Sequence, residues 1–309
     1  MWQISGSAMA NAFEIIVLIG ATASGKSAVA MELAQRLGGE ILSVDSMQVY
    51  RHMDIGTAKP TADEQRRVRH HLIDVVDPDQ VFTVSRFVEL ADAAIADARQ
   101  RGVPLIVTGG TPLYYKALFE GLFEGPGADP QVRARLGQFS NADLHARLAE
   151  VDPASAARIH VNDTKRLVRA LEVYEVTGQP ISSFQTDWAR GQRRYDATWY
   201  GLAWERSALN RRINARVKQM IEAGWVDEVR GLIERYGTLS KTAAEAAGYT
   251  ELMAHLRGEI SLEDAIEQIK IATRQLARRQ MKWFRRFDGV KWLEGQMGVE
   301  GVVGEIVGR

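Results

Sequence analysis

The 309-residue chain contains no cysteine, which excludes disulfide frameworks, thiolate nucleophiles and Cys-based zinc sites, and fits a reducing compartment. Net charge is missing too: 39 Lys and Arg are balanced by 39 Asp and Glu, so no overall positive field draws the protein onto nucleic acid or membrane. Any polyanion site must be a local patch. Long apolar runs are also absent. Ile15 to Ile19 is too short to span a bilayer or form a signal core, and Met1 to Phe13 has no Lys or Arg, so a cytoplasmic protein without membrane contact is expected. The small and polar residues before Ala10 read as a loose leader, with Met9 an alternative start. What remains, 46% hydrophobic and 25% charged residues, is the composition of packed globular structure. The length suits about two ordinary domains.

Ile15-Ile16-Val17-Leu18-Ile19, ending in Gly20, has the continuous β-branched pattern of a strand buried on both faces of a parallel sheet. Ala28 to Leu37 reads as a helix closed by Gly38-Gly39. Strands are expected at Glu40 to Val44, Leu72 to Val76 and Pro104 to Val107, with an amphipathic helix from Ser85 to Arg101 between the last two. This alternation predicts a doubly wound α/β fold, a parallel sheet flanked by helices. Strand signals stop near Gly125-Pro126-Gly127, and short helices separated by Asp-Pro and Gly-Pro breaks follow: Asp143 to Val151, Pro153 to Ile159, Asp163 to Thr177. The expected organisation is therefore an α/β core over 13–125, a small all-helical insertion over 126–191, and the rest of the core over 192–309. That last part holds a strand at Thr198 to Leu202 and long helices at Ser207 to Ala223 and Leu262 to Phe287.

Gly20-Ala21-Thr22-Ala23-Ser24-Gly25-Lys26-Ser27 satisfies the phosphate-loop (P-loop) pattern in the context that it requires, after a strand and at the start of a helix. Its backbone N–H groups and helix N-terminus can hold a diphosphate, Lys26 adds a point charge, and Ser27 can ligate Mg²⁺. The motif specifies a bound diphosphate but not its fate. Asp45, after the second strand, lies at the carboxyl edge of the sheet, where open α/β folds place ligands, although an Asp there also serves as a turn former or helix cap. Gly109-Gly110-Thr111-Pro112 follows another strand with the grammar of an N-cap and a proline at the first helical position. A second helix start would then point into the same crevice.

In the last long helix Arg274, Arg278 and Arg285 share a narrow sector with Lys282 beside them, while Ile269, Leu276, Trp283 and Phe287 fall opposite. Such a stripe is either a solvated face or a phosphate-backbone contact. Arg190-Gly191-Gln192-Arg193-Arg194 and Arg211, Arg212 and Arg216 supply further positive sites. His70 and His71 point to opposite faces of a strand-like segment and read as structural, since no second cluster completes a metal site.

Several strings together resemble the tRNA dimethylallyltransferases (tRNA isopentenyltransferases) from about Ile15 to about Trp292. They are GATASGKS at Gly20 to Ser27, DSMQVYR at Asp45 to Arg51, DIGTAKP at Asp54 to Pro60, HHLID at His70 to Asp74, GGTPLYYKAL at Gly109 to Leu118, and ATRQLARRQMKWFRR at Ala272 to Arg286. The absence of cysteine matches bacterial-type members, which lack the zinc-finger extension of eukaryotic relatives. Ala21 stands where the family has proline, and Ala247-Gly248-Tyr249-Thr250 stands where it has Val-Gly-Tyr followed by Arg or Lys.

The resemblance implies transfer of a dimethylallyl group from its diphosphate to the exocyclic N6 of an adenosine beside the tRNA anticodon. It implies that Lys26 and Ser27 hold the donor's diphosphate and Mg²⁺ and that Asp45 is the general base or hydrogen-bond acceptor for the adenine amine. Ser46, Met47 and Gln48 would lie beside the base, Thr111 would assist the departing diphosphate, and Arg216 would be another diphosphate ligand. For tRNA contact it points to Arg133, to Lys165, Arg166, Leu167, Val168 and Arg169, and to the neighbourhood of Gly248 and Tyr249. Arg274 and Arg278 are the added candidates from the basic helix. A monomer is expected. The competing readings are a small-molecule or nucleoside kinase using the same loop for ATP, and a nucleotide-dependent RNA-binding regulator.

Overall fold

A computed structural model of the chain describes residues 13–121, 125–184 and 193–308, so the leader and Arg190 to Gln192 lie outside the described residues. The chain divides into two compact units, one formed by Met1–Leu118 with Tyr195–Arg309 and the other by Phe119–Arg194.

The first unit opens with β1 (Ile15–Gly20), buried along its whole length, then α1 (Lys26–Leu37), β2 (Glu40–Ser43), α2 (Ala62–Arg67), β3 (His70–His71), α3 (Val84–Arg101), β4 (Leu105–Thr108) and α4 (Pro112–Glu120). The second unit holds α5 (Pro130–Leu136), α6 (Asn141–Val151), α7 (Pro153–Ala156), α8 (Thr164–Thr177) and α9 (Ile181–Phe184). The chain then returns to the first unit with β5 (Thr198–Ala203), α10 (Arg206–Glu222), α11 (Trp225–Tyr236), α12 (Lys241–Ala244), α13 (Tyr249–Leu256), α14 (Leu262–Phe284), β6 (Val290–Glu294) and α15 (Gly298–Val307). All strand pairings are parallel, in the order β3-β2-β4-β1-β5-β6. Among the described residues no helix is long and apolar enough to cross a membrane.

Three expectations need correction. The strand expected at Leu72 to Val76 is only His70–His71, because Leu72 and Asp74 take positive φ values of 62° and 55°, a conformation that breaks an extended ladder. Beyond it, Val76 makes an isolated parallel bridge with Tyr50, outside the sheet. The first helix starts at Lys26 instead of Ala28, which puts Lys26 and Ser27 in its first turn. On α14 the buried stripe is Ala265, Ile269, Ala277, Gln280 and Phe284, whereas Leu276 and Trp283 are only half-buried. The helices α11 and α13 and the edge strand β6 were not anticipated.

In the helical unit the Asp-Pro breaks are helix starts. The Asp129 carboxylate accepts from the N–H groups of Gln131 and Val132, with Pro130 at the first helical position, and Asp152 caps the helix that begins with Pro153 in the same way. Leu136, Leu144, Leu148, Leu167, Leu171 and Val173 form this unit's own core. In the α/β unit His71 Nε2 lies 2.7 Å from Glu40 Oε2, and Arg101 clamps the same buried carboxylate at 2.6 and 2.7 Å. His71 is thus structural, as expected.

Candidate active site

Parallel strands deliver their following loops to one edge of the sheet, and β2, β4 and β1 are neighbours there. Asp45 therefore arrives after β2, Thr111 after β4 and the P-loop after β1. Lys26, Ser27, Asp45, Ser46, Met47, Gln48, Thr111 and Arg216 all line one cavity of about 410 Å³. Its apolar walls include Met31, Ile213, Val217, Met220, Trp225 and Leu276.

The P-loop turns through Ala23 (φ 62°) and Gly25 (φ 93°) before α1 begins. Ala21 and Ala23 are buried against Ile213 of α10 and Ala277 of α14, which seat the loop. Its donors are not all open. The Thr22 N–H donates to Gln280 Oε1 at 2.8 Å and the Ser24 N–H to the Ala21 carbonyl at 3.1 Å, so the anion donors left are chiefly the first-turn N–H groups of α1, which carry no side-chain cap. Thr22, Ala23, Lys26 and Ser27 line the cavity, whereas Ala21 and Ser24 line a separate groove.

Burial, and next the neighbouring Arg216 guanidinium, pull the Lys26 ammonium down to about 8, with the Asp45 carboxylate opposing. Arg216 is lowered by its own burial, again opposed by Asp45. Lys26 and Arg216 thus share a partly desolvated space with the Asp45 carboxylate. Asp45 Oδ1 accepts from the Met47 N–H at 2.9 Å, and its Oδ2 lies against Gly110, where a side-chain carbon would approach it to 3.0 Å. Thr111 Oγ1 accepts from the Ser46 N–H at 2.9 Å and donates to Ser46 Oγ at 3.1 Å, tying the two loops together. Both polar ends of the Gln48 side chain are engaged by protein: Oε1 accepts from Ser43 Oγ at 2.8 Å, and Nε2 donates to the Thr57 and Ala58 carbonyls at 3.3 and 3.2 Å.

Gln280 was missed. Besides accepting from Thr22, it donates through Nε2 to the Gly110 carbonyl at 2.7 Å, joining the P-loop to the Gly109-Gly110 loop from the buried stripe of α14. The available signal was a polar amide at core spacing on an amphipathic helix, which has to find partners.

Other sequence candidates fall elsewhere. Arg274 and Arg278 line the separate groove of about 510 Å³, with Trp204, Arg206, Lys282 and Arg285, and Arg274 donates to Asn214 Oδ1 at 2.6 Å. Tyr249 is 0% exposed and gives its hydroxyl to Glu228, so its side chain packs in the core, while its neighbours Ala247 and Thr250 line the cavity. Leu167 is likewise core of the helical unit. In that unit Arg133 and Arg169 both bind Glu172, at 2.7 and 2.6 Å, and Lys165 and Arg166 are exposed.

A family model described as IPP transferase matches residues 48–287. The chain belongs to the IPP transferase family. The family match begins at Gln48, after the P-loop and Asp45, but individual IPP transferase relatives extend through both. A protein of Geobacter metallireducens named tRNA dimethylallyltransferase is 47% identical over 298 residues, 95% of this chain and 96% of the relative. The crystal structure of the full-length tRNA isopentenylpyrophosphate transferase from Bacillus halodurans is 37% identical, covers 96% of each chain and superposes with a TM-score of 0.70. A eukaryotic dimethylallyltransferase, captured in crystallographic snapshots acting on tRNA, is 30% identical with a TM-score of 0.79, over 92% of this chain and 74% of its own.

Proposed function

We propose that the protein transfers a dimethylallyl group from dimethylallyl diphosphate to N6 of an adenosine beside the tRNA anticodon, releasing diphosphate. The observation that carries this reading is the cavity at the sheet edge, where Lys26 and Arg216 share space with Asp45 and with apolar walls. Such a space suits a ligand with an anionic end and a small hydrocarbon end. Membership of the IPP transferase family supports it over phosphoryl transfer from ATP by a kinase.

Adenine N6 is a weak nucleophile because its lone pair is delocalised into the ring, so the reaction needs an activated allylic carbon, a stabilised leaving group and a closely held amine. The allylic C–O bond breaks, an N6–C bond forms, and the N6 proton passes to the Asp45 carboxylate. Lys26, Arg216 and the first turn of α1 stabilise the charge that develops on the diphosphate. Thr111, fixed to Ser46, stands between the P-loop side and the base side of the cavity, in position to assist that departure. Ser46, Met47 and Gln48 form the base side.

Among the described residues no group of three or more His, Cys, Asp or Glu could hold a metal ion. A Mg²⁺ ion here would rest on Ser27 together with the donor's own phosphate oxygens, a ligand set that Mg²⁺ favours. When bound, it supplies Lewis-acid charge to the leaving diphosphate. The target base has to leave its stack in the RNA loop, and the helical unit, with Arg133 and the stretch Lys165 to Arg169, is the candidate clasp, while Arg274 and Arg278 are candidates for the phosphate backbone. The protein is read as a cytoplasmic monomer.

The test is to mix undermodified tRNA, dimethylallyl diphosphate and Mg²⁺ with the protein and to analyse the nucleosides by mass spectrometry. N6-isopentenyladenosine is expected; phosphate transfer from ATP to a metabolite, without prenylated nucleoside, would reject the reading.

A further inference from the structure

The loop Asp54–Pro60 carries one of the sequence strings noted above, yet the mechanism gives it no task. Its residues Gly56 to Lys59 line the cavity. Three successive backbone N–H groups in it donate to one side chain from a distant helix: those of Asp54 and Ile55 to Glu228 Oε2 at 2.8 and 2.6 Å, and that of Gly56 to Glu228 Oε1 at 3.2 Å. The buried Tyr249 hydroxyl donates to the same Oε1 at 2.7 Å. A run of consecutive N–H groups is an anion-holding arrangement, and here α11 supplies the anion.

The other side of the loop reaches the reaction centre. Its Thr57 and Ala58 carbonyls hold the Gln48 amide, and Gln48 in turn accepts from Ser43 at the end of β2, two residues before Asp45. Lys59 secures the far end: its buried ammonium donates to the Tyr50 carbonyl at 2.7 Å and to Asp54 and Asp74 at 2.5 and 2.6 Å. Ala58 sits at φ 49°, which a side-chain-bearing residue keeps only when its surroundings impose it. Gly56 has no room for a side chain, since a Cβ there would stand 2.2 Å from Trp225 Nε1.

We propose that Glu228 is a positioning residue for the acceptor side of the reaction. By gathering the N–H groups of Asp54 to Gly56, it fixes the loop on which Gln48 hangs, and so fixes the segment Asp45 to Gln48 against which the purine is placed. The inference rests on the transferase reading above. A carboxylate can accept from all four donors. The isosteric amide of Glu228→Gln has one oxygen, and its NH₂ would face N–H donors, so the loop loses its register while the helix keeps its shape.

The experiment is steady-state kinetics of Glu228→Gln against wild type, with an anticodon stem-loop RNA and dimethylallyl diphosphate. The expected result is a fall in kcat of about 10–10²-fold, the size of effect that sub-ångström to ångström misplacement produces, with the donor KM within about twofold of wild type. Gly56→Ala, which displaces the same loop against Trp225, is expected to give the same split. Hydrogen exchange on the wild-type protein gives a readout independent of any variant, with the amides of Asp54, Ile55 and Gly56 expected to exchange slowly. A folded Glu228→Gln protein with wild-type kcat, a loss shared equally by kcat and donor KM, or fast exchange of those three amides would overturn the proposal. Should wild type itself fail to prenylate RNA, the transferase reading fails, while hydrogen exchange still reports whether the anchor exists.

Discussion

The two units of this chain treat their cations differently. In the helical unit Arg133 and Arg169 close on the fully buried carboxylate of Glu172, which also accepts from the Asp129 N–H at 2.7 Å. In the α/β unit Lys26 and Arg216 are brought into one cavity, and among the described residues neither is in an ion pair. Burial raises the Glu172 carboxyl, but the hydrogen bonds from Arg133 and Arg169 outweigh this and hold it below the usual carboxylate value. For Lys26 burial and a like charge both act against the ammonium. The contrast separates charge that holds a fold together from charge kept at an electrostatic disadvantage, the condition under which a bound anion would be favoured.

The largest expected effect lies in the cavity. Asp45→Ala is expected to bind tRNA as wild type does but to transfer the prenyl group about 10²–10⁴-fold more slowly, the range for a positioned acid–base group; single-turnover rates beside a tRNA binding isotherm measure both. Turnover equal to wild type would remove Asp45 from the chemistry. Next, Glu172→Ala is expected to destabilise the helical unit by about 2–4 kcal/mol, somewhat less than the roughly 3–5 kcal/mol of a fully buried broken pair because its arginines reach water. Chemical denaturation measures this, and titration of the same variant is expected to find donor affinity unchanged. A stable variant with poor donor affinity would erase the distinction between the units.

A third effect depends on pH. With Lys26 at about 8 in the free protein, the site loses positive charge as pH rises through that value, so donor affinity is expected to fall above pH 8, by at most about tenfold per pH unit, with proton uptake on binding. Calorimetry in buffers of different ionisation enthalpy detects the uptake, and Lys26→Met is expected to abolish it along with tight donor binding. The smallest effect concerns the second groove. Neutralising Arg274 and Arg278 together is expected to flatten the slope of log affinity for tRNA against log salt by about 1–2 units.

Much of the cavity was legible because its parts follow parallel strands. The P-loop, Asp45 and Thr111 each sit just after a strand, and strand order does the rest. The family strings supplied the expected substrates, which no spacing rule provides. Residues that act through long-range hydrogen bonds were not legible. Gln280 and Glu228 look like ordinary polar positions until the helices that carry them are seen against the loops they hold. Burial was the other blind spot: nothing in the string around Tyr249 shows that its ring lies in the core, with its centroid 5.7 Å from that of Trp225. The strand at Leu72 failed because left-handed backbone at a leucine has no sequence signature.

The account is tested most directly by a crystal structure of the protein with an anticodon stem-loop and a non-reactive thio analogue of dimethylallyl diphosphate. The expected result is the diphosphate against Lys26, Ser27 and Arg216, with the adenine N6 within about 2.6–3.2 Å of the Asp45 carboxylate. A diphosphate bound elsewhere, or an adenine still stacked in its loop and out of reach of Asp45, would contradict it.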